Sequence, residues 1–127
     1  MPRYRAQALV EFALVFPILV VAFLGMGEAG FLFASQHGYQ STADVLASWA
    51  AYHVSEVPGP SWDAVAGSET ARTGCDGSPV VSWPDGGQAS GDRVAVELAC
   101  HYSPKITSNV WPGGLDVSVQ AEAVVAP

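Results

Sequence analysis

Positive charge is scarce in this chain of 127 residues: five Lys and Arg stand against twelve Asp and Glu, a net charge of -7 at pH 7. A nucleic-acid surface needs clustered Lys and Arg to displace counterions from phosphates, so nucleic acid is excluded as a partner. The same balance argues against broad adhesion to anionic lipid. Charge of either sign is thin, 13% against 50% hydrophobic residues, and the length suits one modest domain. Cysteine is rarer still. Cys75 and Cys100 lack CxxC spacing, and His37, His53 and His101 are scattered, so no zinc-type ligand set is recognisable. Ser-His-Asp and Cys-His arrangements, glycine-rich phosphate loops and paired-carboxylate motifs are also missing. The expectation is a non-enzyme without catalytic, cofactor-binding or metal-ligating residues.

What the chain does have is a long apolar run. Sixteen uncharged, mostly large apolar residues lie between Glu11 and Glu28. They cover about 24 Å of helix, and residues 7–34 exceed the roughly 20 residues that a bilayer span requires. Arg3 and Arg5 flank one end, and the next basic residue is Arg72. The positive-inside rule then puts the N-terminus in the cytoplasm and the remainder outside.

The helix is expected to continue beyond the membrane. Tyr39, Ala43, Leu46, Ala50, Val54 and Val57 recur at spacings of three and four, one face of an amphipathic helix over 35–57. Pro58-Gly59-Pro60 ends it. Residues 61–91, rich in Gly, Ser, Pro and Asp, read as loop with a short strand at Val80, Val81, Ser82 and Trp83. Two period-two stretches follow, 92–102 and 115–125, each with one apolar face, separated by the turn residues Trp111-Pro112-Gly113-Gly114. The fold class is therefore α+β: a long N-terminal helix packed on a small antiparallel sheet, with 58–127 as an extracytoplasmic domain of loop and sheet. Trp49, Trp62, Trp83 and Trp111 read as packing or turn residues. In an extracytoplasmic domain Cys75 and Cys100 are expected to form a disulfide, about 3.5 kcal/mol in the chain-entropy model; two buried free thiols are the alternative.

The most specific segment runs Arg5-Ala6-Gln7-Ala8-Leu9-Val10-Glu11-Phe12-Ala13-Leu14-Val15-Phe16-Pro17. An acid just inside an apolar span is costly. With the basic leader, the GMGEAG stretch and the β-rich tail, this segment resembles the TadE-like family of minor pilins (pseudopilins) of tight-adherence, type IVc-like pili. The resemblance is strongest from Arg5 to Gly30 and implies a pilin-like fold and a structural role in initiating or capping a pilus.

It also implies cleavage of leader 1–6 by a prepilin peptidase between Ala6 and Gln7, with Ala6 standing where the family usually has Gly. Glu11 and Phe12 follow as mature residues five and six. Pro17 matches the family's proline in the apolar helix. Glu28 matches the acid of its GxxEFG-like stretch, with Ala29 in place of the aromatic. Implied partners are the prepilin peptidase, other major and minor pilins, an inner-membrane assembly platform and membrane lipid. The implied location is the cytoplasmic membrane, single-pass, or the pilus outside the cell. The new α-amine left by cleavage would neutralise Glu11 of a neighbouring subunit. Without the family, Glu28 reads as the water-facing end of the span, and Pro17 as a tolerated membrane-helix proline. The competing reading of the whole chain is a small secreted binding domain behind an ordinary signal peptide, cut near Gly27-Glu28-Ala29.

Overall fold

The computed structural model describes residues 2–127; Met1 of the expected leader lies outside the described residues. Helix α1, Pro2–Tyr52, is continuous through Pro17 and is about 77 Å long at 1.5 Å per residue. It stops five residues short of the expected Val57. The residue before a proline is pushed out of the helical region, and Val57, followed by Pro58, is extended at φ -117° and ψ 121°. The intervening Val54–Glu56 tightens into a 3₁₀ turn.

A second helix, α2 (Pro60–Thr73), occupies part of the stretch expected to be loop. Its ends obey capping chemistry. Pro60 sits in the first turn with its fixed φ, and Gly74 adopts the left-handed conformation (φ 73°) that closes the last turn. Trp62 and Ala66, one turn apart, are buried against the rest of the domain. Thr42 of α1 donates from Oγ1 to Thr73 Oγ1 at 3.0 Å, tying the two helices together.

The sheet has the order β1 (Val80–Ser82), β2 (Arg93–Tyr102), β3 (Leu115–Val124), antiparallel throughout. Val96 pairs with Val81 on one side and Ala121 on the other, and Tyr102 pairs with Leu115. One face of β2 (Val94, Val96, Leu98, Cys100, Tyr102) and Val117, Val119 and Ala121 of β3 form a single core with Tyr39, Ala43, Leu46, Ala47 and Ala50 of α1. The fold is thus α+β, a long helix on a three-stranded antiparallel sheet. Burying these apolar faces against one another is what holds the second half of α1 to the sheet.

Beyond the reach of β1, the edge of β2 is covered by the chain that leaves α2. The Asp76 carboxylate accepts the His101 N–H at 2.9 Å, and this bond holds its carboxyl below the usual carboxylate range. A side chain at Gly77 would collide with the Ala99 carbonyl, so only glycine permits this close approach. Cys75 and Cys100 are joined in a disulfide with Cα atoms 5.1 Å apart, stapling the same segment to β2.

Candidate functional site

Along α1 the side chains from Arg3 to Met26 are exposed, including Leu9, Phe12, Phe16, Phe23 and Leu24. This is the one helix among the described residues long and apolar enough to cross a membrane. Ala6, Gln7, Glu11, Phe12 and Pro17 all lie on it, within three turns. Gln7 Nε2 donates to Glu11 Oε1 at 3.2 Å, and the rings of Phe12 and Phe16 lie 5.4 Å apart. None of these five residues touches the sheet domain, and Gly25 and Gly30 face open space.

The folded domain first meets the helix at Gly27 and Glu28. Glu28 does not face water as the composition suggests; it is 6% exposed and fully engaged. Tyr102 donates from its hydroxyl to Glu28 Oε1 at 2.9 Å, and Lys105 N–H donates to the same oxygen at 2.9 Å. Ile106 N–H donates to Oε2 at 2.7 Å. The carboxylate therefore organises the end of β2 and the start of the β2–β3 loop. Gly27 makes room for this contact, since a Cβ there would lie 2.8 Å from Ile106 Cδ1. With both oxygens committed to donors, Glu28 acts as a structural acceptor that locks the domain onto the helix.

Tyr102, Lys105 and Ile106 carry no motif that marks them. The legible signal is Tyr102 itself: on the apolar face of β2 its hydroxyl must find a partner once buried. Burial, and then the bond to Glu28, push the Tyr102 phenol up to about 12. At the same end of the sheet His101 Nδ1 lies 2.8 Å from Asp116 Oδ1, and this contact raises the imidazole above its ordinary value. Among the described residues, no buried side-chain nitrogen or oxygen lacks a partner.

No curated protein and no solved structure matches the chain. A family model does: residues 6–47 match TadE-like protein. That stretch holds Ala6, Gln7, Glu11, Phe12, Pro17 and Glu28, and it ends inside the core-forming face of α1. Over residues 6–47 the chain is thus similar to TadE-like proteins, which are pilus-associated and minor pilin-like.

Proposed function

We propose that the chain is a TadE-like minor pilin, a structural subunit that helps to initiate or cap a tight-adherence pilus. The observation that carries this reading is the bare first half of α1. From Leu9 to Met26 the side chains are exposed and Glu11 is the one charge, on the segment that matches the family. So much apolar surface in one strip must be covered by lipid or by the helices of other subunits. In this reading α1 spans the cytoplasmic membrane once, with Arg3 and Arg5 inside and the sheet domain outside. A prepilin peptidase cuts between Ala6 and Gln7, removing both arginines. The freed α-amine then lies against Glu11 of a neighbouring pilin, neutralising a carboxylate that is costly in an apolar bundle. Pro17 leaves a backbone carbonyl without its helical donor and allows the span to bend as it leaves the membrane.

The buried Glu28 favours this reading over a secreted domain. A signal-peptide cut near Gly30 would discard the acceptor of three hydrogen bonds and leave the Tyr102 hydroxyl without its partner. The test is the N-terminal sequence and intact mass of the protein made with its host's prepilin peptidase. A chain beginning at Gln7 and retaining the apolar helix is expected. A chain beginning near Gly30 would replace the pilin reading with that of a secreted domain.

A further inference from the structure

The β2–β3 loop, residues 103–114, has a position and a composition that the pilin reading leaves unused. Strand β3 runs alongside α1 in the same direction: Gln40 Nε2 donates to the Gln120 carbonyl at 3.0 Å, and Ala126 N–H donates to the Ala51 carbonyl at 3.1 Å. Going back from Gln120 to Leu115 is about 17 Å of strand, equal to roughly eleven residues of helix, which brings Leu115 to the level of Glu28. Tyr102, the partner of Leu115, bonds Glu28 directly. The loop therefore leaves and re-enters the sheet at the outer end of the apolar span, and Ile106 packs on Gly27, on the membrane side of Glu28. A helical segment from Leu9 to Glu28 is about 30 Å long, the thickness of a hydrocarbon core.

The loop's chemistry fits that level. Val110 is 86% exposed, and Trp111, Ile106 and Leu115 are exposed beside it. From Tyr102 to Leu115 this acidic chain carries no Asp or Glu, and its single charge is Lys105. Arg72 and Arg93 are paired with carboxylates, whereas Lys105 has no ion pair among the described residues. Tryptophan and lysine beside exposed aliphatic side chains are the composition of a membrane–water interface.

We propose that the β2–β3 loop is a second, interfacial membrane anchor: Ile106, Val110 and Trp111 enter the headgroup region beside the span, and Lys105 pairs with lipid phosphate. This rests on the membrane-spanning reading of α1. The test uses the full chain reconstituted into phosphatidylcholine–phosphatidylglycerol vesicles with bromine on the acyl chains near the glycerol. Shallow bromines are expected to quench part of the tryptophan emission, W111F to abolish that part, and Val110→Asp to reduce it with the disulfide intact. Trp49, Trp62 and Trp83 supply the unquenched background. Chain that fails to float with the vesicles overturns the spanning reading itself. Chain that floats but shows the same quenching in wild type and W111F overturns the loop anchor alone. Shielding of Trp111 from aqueous acrylamide that appears only as protein density rises also overturns it, in favour of a contact between subunits.

Discussion

Glu28 is the residue on which the two halves of the molecule meet. Glu28→Ala leaves the buried Tyr102 hydroxyl and two part-buried backbone donors without their acceptor. Faster amide hydrogen exchange at Lys105 and Ile106 is the expected result, measured on the full chain in micelles. Tyr102 should report the same loss. In Glu28→Gln its phenol should titrate below the wild-type value of about 12 while remaining raised by burial. The sign for stability follows: a phenol raised in the folded state stabilises fully below its unfolded pKa near 10, and that contribution is lost as pH climbs through the folded value. His101 obeys the same rule at lower pH. Its raised pKa means that the bond to Asp116 stabilises fully below the unfolded histidine value and fades as pH rises through the folded one. Asp116→Asn should lower the His101 pKa, read by NMR titration of the imidazole.

At the scale of elements, the apolar periodicities were decisive. The faces Tyr39–Ala43–Leu46–Ala50 and Val94–Val96–Leu98–Cys100–Tyr102 are buried where the three-four and period-two patterns put them, because burial acts directly on those side chains. Helix α2 was not legible in the same way. Its buried face is only Trp62 and Ala66, with Val65 partly covered, and Gly67 and Ser68 interrupt the pattern. Its signals are at the ends, Pro60 at the start and Gly74 at the close, and those are also loop residues. Two stability predictions belong here. Leu46→Ala, at a fully buried position, should cost about 2–5 kcal/mol in denaturant unfolding. Cys75→Ala with Cys100→Ala should cost a similar ~2–5 kcal/mol, and reduction of the wild type should raise the intact mass by about 2 Da, the two hydrogens gained when the disulfide opens.

For the whole molecule, the apolar run and its flanking arginines were legible because length and charge are one-dimensional, whereas leader 1–6, Glu11 and Pro17 were read through the resemblance to TadE-like proteins and stand as proposals. The junction was hidden because its partners are 74 to 78 residues apart in the chain, a separation that no local pattern encodes. Assembly is tested at this scale. Glu11→Ala should abolish co-purification with other pilins while leaving the thermal unfolding of the sheet domain unchanged, since Glu11 touches nothing in that domain. Retained co-purification would separate Glu11 from assembly.

The three bonds to Glu28, with the sheet packed on α1 up to Ala51, leave no pivot between span and head. In the proposed membrane-spanning reading, the molecule acts as a lever with its fulcrum at the bilayer surface. From Glu28 to the end of α1 is about 36 Å, so a helix tilt of ~10° sweeps the far end of the head sideways by roughly 6 Å. In that reading, any tilt of the helix between Pro17 and Glu28 is carried directly to the sheet domain.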